Sequence, residues 1–419
     1  MIHISCLDAF RDGETLWLSN YDYNAFIKWN MDSGCAEIVD FFPQISRERG
    51  RLHRRVFRVG EKLYFIPFRG NRIHIWNLTQ EMWEEVRISE EDIIIADAYM
   101  SENCFWIFPS YLQNPIMLFH IDTRQIEMLT DLTREIGDYV GKYITWMFLD
   151  ITCVCQRENF FYLAEYRRTQ IFCIDSMEKK LVRVWNNEES VHDPKAGNDE
   201  KRIKQQGINL CGEDAFWLTS MEEKEVYLWK PEEGIKKIYR FQTKMYGNRV
   251  PFFRVVDVNE TYALVLPCHS NRLFRINKTT DEITGIRYPS EFARRNIYSL
   301  YCGYDKKGNE VFLYPKGGNG LLIIDVEKEK AYFKAYNFNE TDGNHFAKLY
   351  RQYITRRMYT GKLDESYGGK GILAGFLDEV ASGEECAEPR PIEAVGKKIY
   401  QYCKEICLRG DGFENCDHS

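Results

Sequence analysis

The chain has 419 residues, of which 44% are hydrophobic, 15% aromatic and 28% charged, and its formal net charge is −7. So many aromatics exclude a disordered chain, and 28 Gly with 12 Pro exclude a collagen-like or low-complexity one. The acidic balance argues against general binding to a nucleic-acid backbone and leaves room only for a local basic patch.

The opening MIHISCLDAFRDGETLWLSN shows no basic n-region, apolar h-region or small-residue cleavage site. No run approaches the roughly 18 apolar residues of a membrane-crossing helix, so no membrane span is expected. The 13 Cys are odd in number and form no CxxC pair. They read as reduced, mostly buried thiols of a cytoplasmic protein. Asn-x-Thr triplets at Asn77, Asn259, Asn277 and Asn339 carry no weight in that setting.

From Leu16 onward one phrase recurs: an apolar run with an aromatic, a short polar turn, a second apolar run, then Asp or Asn. The seven copies are LWLSNYDYNAFIKWNMD, LYFIPFRGNRIHIWNLT, FWIFPSYLQNPIMLFHID, FYLAEYRRTQIFCID, FWLTSMEEKEVYLWKPE, ALVLPCHSNRLFRIN and VFLYPKGGNGLLIID. A first column runs Trp17, Tyr64, Trp106, Tyr162, Trp217, Leu264, Phe312, in steps of 42 to 56 residues. A second runs Trp29, Trp76, Phe119, Phe172, Trp229, Phe274, Leu322. The flanking apolar residues suit buried strands, and Asp32, Asp122, Asp175, Asn277 and Asp325 open the next turn. Each copy also has a strand before and after it, as RRVFRVG and MWEEVRI flank the second.

Four short antiparallel strands per repeat of about 40–50 residues resemble the blade of a β-propeller. The resemblance covers residues 1–338 and implies an all-β fold, a seven-bladed β-propeller whose inter-blade wedges the aromatic columns fill. It is to the broad class: the blades lack the Trp-Asp ending of WD40 repeats, the kelch Gly-Gly doublet and a metal-binding Asp box. Residues 339–419 read as a C-terminal helical extension. EAVGKKIYQYCKEICL is its clearest helix, with Ile392, Val395, Ile399, Tyr402, Cys403 and Ile406 on one face. Two roles stay open, bracing the ring or docking another chain.

In a propeller, the linkers between blades and the turns of the central hairpins share one face. That places Arg47, Arg49, Arg51, Arg54 and Arg55 of PQISRERGRLHRR near Arg69 and Arg72 of PFRGNR. Arg272 and His269 of PCHSNR, Arg294 and Arg295 of PSEFARRN, and Lys316 of PKGGNG join them from blades six and seven. The acids Glu90, Glu91 and Asp92 are expected elsewhere. Guanidinium groups grip carboxylate or phosphate by paired hydrogen bonds, so the face suits an acidic protein partner, an anionic small molecule or a glycan. The plainer reading is a solvated arginine-rich linker paired with nearby acids. Tyr21, Tyr23 and Tyr111 are expected as exposed turn aromatics. The eight His form no HxH or HExxH, and neither a metal site nor a cofactor is expected. Two functions follow: a binding or scaffold propeller, or a lyase or hydrolase acting on an anionic sugar or peptide at the central funnel. The acid–base candidates of the second are His269, Tyr21, Asp22 and Glu165.

Overall fold

The computed structural model describes residues 4–338 apart from 48, 141–146, 151, 187–203, 244–249, 269–271, 290–300 and 317–319, together with 343, 344 and 348. The expected helices of the C-terminal extension lie almost wholly outside the described residues. What remains is a seven-bladed β-propeller. Each blade is a four-stranded antiparallel sheet built from one continuous stretch of chain: 9–40, 53–87, 93–129, 154–186, 205–240, 252–286 and 301–335. The first strand of each blade is innermost, and neighbouring first strands touch from blade one through blade six and again between blades seven and one.

The two sequence columns occupy the second and third strands, and the register shows how they divide the work. In blade two Tyr64 stands opposite Ile75, and Leu63 opposite Trp76. Side chains alternate along a strand, so a one-residue offset sends the two columns to opposite faces of the sheet. A one-residue offset, in one direction or the other, recurs in every blade. Each wedge is therefore filled by the first column of one blade and the second column of the next. Trp17 and Trp76 share the wedge between blades one and two, Tyr64 and Phe119 the next, and Trp106 and Phe172 the third. Tyr162 with Trp229, Trp217 with Phe274, and Leu264 with Leu322 continue the series. Phe312 and Trp29 fill the last, where blade seven meets blade one. All fourteen positions are buried except Trp17, which is half-buried and stacks on Phe26 at 5.5 Å. Burial of this kind contributes about 1.5–3 kcal/mol per large apolar side chain.

The ring closes without exchanging a strand between its first and last blades. After blade seven, Asn337–Phe338 runs parallel to the outer strand of blade one, Cys35–Asp40. Tyr336 packs on Trp29 with ring centroids 4.6 Å apart. On the inner side Cys6 N–H donates to Pro315 O at 2.8 Å. Gly303 is required at this seam: a Cβ there would stand 2.6 Å from Leu7 O and 3.0 Å from Asp8 Cα.

One helix was not legible in the sequence. Thr130–Val140 follows blade three, with Leu132, Thr133 and Ile136 buried. The Thr133 hydroxyl donates to Leu129 O at 2.8 Å and accepts from Ile116 N–H at 2.9 Å, tying the helix to the blade.

Candidate functional site

The innermost strands carry a buried charged network. Blades two, three, five and six each have a register shift near the start of that strand, at His53/Arg55, Ile95/Asp97, Gln205/Gly207 and Phe252/Arg254. Such bulges re-aim side chains. Arg55 grips Asp97 by two bonds, Nε to Oδ1 at 2.6 Å and Nη2 to Oδ2 at 3.0 Å. Arg54, 1% exposed, donates to Ala96 O at 2.8 Å and lies 3.7 Å from Asp97. Asp8 stands 3.7 Å from Arg55 and accepts from Val56 N–H at 3.1 Å. Burial opposes the Asp97 charge, but Arg55 and Arg54 outweigh it and hold the carboxyl below its usual range. Burial dominates at Asp8 and raises it, with Arg55 opposing. Arg54 and Arg55 are thus core residues rather than the linker surface charges the sequence suggests.

The groove lies on the face formed by linkers and hairpin turns. It measures about 670 Å³ and is lined by Arg49, Arg69, Asp92, Ile93, Ile94, Tyr111, Gln113 and Asn114. Arg69 and Gly70 pair in an added short ladder with Ile94 and Ile93, which joins the blade-two turn to blade three and shapes the floor. The acids were expected elsewhere, but Asp92 lies inside the groove: Arg49 donates to it at 2.6 Å and to Arg69 O at 3.3 Å. Among the described residues Arg69 is exposed and has no carboxylate partner. A smaller adjoining pocket of about 160 Å³ shares Arg49, Arg69 and Asp92 and reaches Arg72 and His74. Arg72 is tied to Glu85 at 2.7 Å.

The other expected ligands sit nearby in separate settings. Arg47 covers the Phe41 ring at 4.1 Å. Arg51 and Lys316 flank Tyr21 at 5.4 and 5.5 Å, which brings the blade-one linker and blade seven together. Tyr21 itself is only 8% exposed and Tyr23 is fully buried, contrary to the expected exposed aromatics. The turn folds inward because Arg51 N–H donates to Tyr21 O at 2.6 Å and Gly50 lies against that turn's backbone. Tyr111 does line the groove. Arg272 precedes the third strand of blade six, Leu273–Asn277. His269, Arg294 and Arg295 lie outside the described residues. Of the acid–base candidates, Asp22 is buried and accepts from the Ser5 hydroxyl at 2.8 Å. Glu165 sits on the blade-four turn, 3.2 Å from Arg168, and burial raises its carboxyl to about 7. The described bonds of Glu165 and Asp22 run to different partners, so these two are not brought into one site.

Beneath the smaller pocket a hydrogen-bonded chain crosses from blade one to blade two. Ser19 Oγ meets His53 Nδ1 at 2.7 Å, and His53 Nε2 meets His74 Nδ1 at 2.9 Å. His74 Nε2 stands 3.4 Å from Glu85. Burial lowers both histidines, His53 well below its usual value and His74 to about 4, where Arg72 adds to the effect. Both are neutral at physiological pH, so the chain works as packing glue through the Ser19–His53–His74 bonds, while the buried His74 Nε2 and Glu85 Oε1 make no hydrogen bond among the described residues.

No protein-family model matches this chain, and no curated protein matches it. Solved structures do. A streptogramin B lyase aligns with TM-score 0.50 at 12% identity, over 76% of this chain and 91% of that one. The β-propeller domain of Cps50 (Swd1) from Myceliophteria thermophila gives 0.49 at 10% identity, over 77% and 96%. The extracellular domain of the one-component system BT4673 from B. thetaiotaomicron gives 0.49 at 14% identity. That match covers 77% of this chain and 38% of the other, so this chain spans well under half of that protein. At such identities the likeness is one of fold, the β-propeller, which hosts many functions.

Proposed function

We propose that this propeller is a binding platform whose groove between blades two and three takes an acidic segment of a protein partner. The observation that carries this reading is Arg69, exposed in a groove of about 670 Å³ beside Arg49 and without a carboxylate partner among the described residues. Arg49 is already paired with Asp92 across a half-exposed contact. An incoming carboxylate competes with Asp92 for Arg49 while meeting Arg69 directly, and Tyr111 and Asn114 supply neutral polar contacts. The innermost strands of blades one to three are occupied by their own charges, which favours an outer-face platform over a deep funnel site. A reducing, cytoplasmic setting fits the eight described cysteines, all of them free thiols.

A fluorescein-labelled glutamate-rich peptide tests the reading by anisotropy across a salt series. Arg69→Glu is expected to weaken binding at least tenfold and to flatten its salt dependence, while Asp92→Asn tightens it. Unchanged affinity in the Arg69→Glu protein rejects the groove as the site.

A further inference from the structure

A second constellation lies on blade three and takes no part in the groove. Cys104 opens the second strand, His120 closes the third, and Glu127 lies in the outermost. The register sets Cys104 opposite His120, and Glu127 opposite Leu118. By strand alternation these residues share the side of the sheet that carries Trp106 and faces blade four. Cys104 Sγ is 3.2 Å from His120 Nδ1, and His120 Nε2 is 3.1 Å from Glu127 Oε2. Lys179 of blade four holds the same carboxylate at 2.8 and 2.7 Å.

With His120 neutral, one proton arrangement satisfies this chain. Hydrogen bonding from Lys179 keeps the Glu127 carboxyl below its usual range despite partial burial, so at neutral pH it only accepts. The His120 proton must then sit on Nε2, which leaves Nδ1 as the acceptor of the Cys104 S–H. A nucleophile, a base and a group that orients the base thus stand in line. The residues are within reach of solvent: Cys104 is half-buried, and the side chains of His120 and Glu127 are 35% and 38% exposed.

We propose that Cys104 is a modification site, a nucleophile with His120 as its general base and Glu127 as the positioning residue, suited to uncharged α,β-unsaturated carbonyl compounds. Sγ bonds to the β-carbon as the S–H proton passes to His120 Nδ1, and Glu127 stabilises the imidazolium. The electron pair of the C=C bond moves into the carbonyl as an enolate. The imidazolium then returns its proton to the α-carbon, so the adduct is the sum of thiol and electrophile and nothing is oxidised or reduced. The charges facing the thiol fix the class of electrophile. Glu102, Asp122 and Glu127 act on it against the cation Lys179, which disfavours anionic reagents. Burial, with Lys179 opposed by those acids, raises the thiol pKa, so free thiolate is scarce at neutral pH and proton removal by His120 becomes the productive route.

The test uses the full chain and N-ethylmaleimide, with adducts at Cys104 and Cys35 quantified separately by peptide mass spectrometry. Cys35 is exposed at the start of the outer strand of blade one and serves as the internal standard. His120→Gln should slow Cys104 by about 10²-fold and leave Cys35 unchanged. Glu127→Gln should give an intermediate loss, and anionic iodoacetate should discriminate against Cys104 more than against Cys35. Melting curves and the unchanged Cys35 rate report that the variants are folded. A Cys104 rate within twofold of wild type in His120→Gln overturns the proposal.

Discussion

Replacing Asp97 with Asn keeps the size of the side chain and removes a buried charge that the Arg54 and Arg55 guanidinium groups share. Asp97 is fully buried, and it receives both Arg55 bonds and the nearby Arg54 guanidinium. The Asn variant removes the carboxylate 3.7 Å from Arg54, which is 1% exposed, and leaves Arg55 facing Asp8 at 3.7 Å. Breaking a buried pair from one side costs about 3–5 kcal/mol, because the surviving charge stays desolvated. Spread over a propeller of this length, with about 2.1 cal/mol/K of unfolding entropy per residue, that loss is a drop in Tm of about 4–7 °C. Calorimetry measures it. Adding Arg55→Met to Asp97→Asn should recover part of the loss, since the orphaned charge is then gone. The pH dependence has a definite sign. The Asp97 carboxyl is held below its ordinary 3.8, so its contribution is intact through neutral pH and is lost only as acid protonates the folded form. The gap between wild type and Asp97→Asn should be constant from pH 8 to about 5 and shrink below that. A Tm change under about 1 °C at pH 7, or no recovery in the double variant, refutes the charge-sharing account.

Two further outcomes bear on the fold. His74 titrates near 4 in the folded chain and near 6.5 when unfolded, so the unfolded state takes the proton first and stability falls as pH drops through that window. The loss approaches about 3 kcal/mol at the acid end, and His74→Gln should flatten the profile of Tm against pH in that range. Gly303→Ala drives a Cβ against backbone at the seam and should cost about 1–3 kcal/mol, seen as a lower denaturation midpoint. An unchanged midpoint would mean that the seam yields freely.

The ring and its blade boundaries were legible because Trp17, Tyr64, Trp106 and their successors repeat in a fixed phrase. Their division between opposite wedges was hidden, because it depends on a one-residue register offset that only strand pairing reveals. Arg54 and Arg55 looked like linker charges because LHRR follows an arginine-rich run. A bulge carries them into the core, and the matching acid, Asp97, sits inside an otherwise apolar strand over forty residues away. The groove was half legible. Arg49 and Arg69 line one groove, but the sequence reading put Asp92 away from them because the added ladder at Arg69–Gly70 has no periodic signature. Cys104 and His120 stand far apart in sequence, and nothing short of the hairpin register places them together.

The closure of the ring has a consequence for how the protein is made. Because blade one comes from a continuous stretch near the start of the chain, it can form early on the ribosome. One of its faces, bearing Trp29 and Leu16, then has no covering blade until Phe312 and Tyr336 are translated, roughly 280 residues later. At ordinary elongation rates that is about 15 to 60 seconds during which a large apolar surface faces solvent or the ribosome exit. A nascent-chain holdase is therefore expected to bind the Leu16–Trp29 hairpin and to leave it when blade seven emerges.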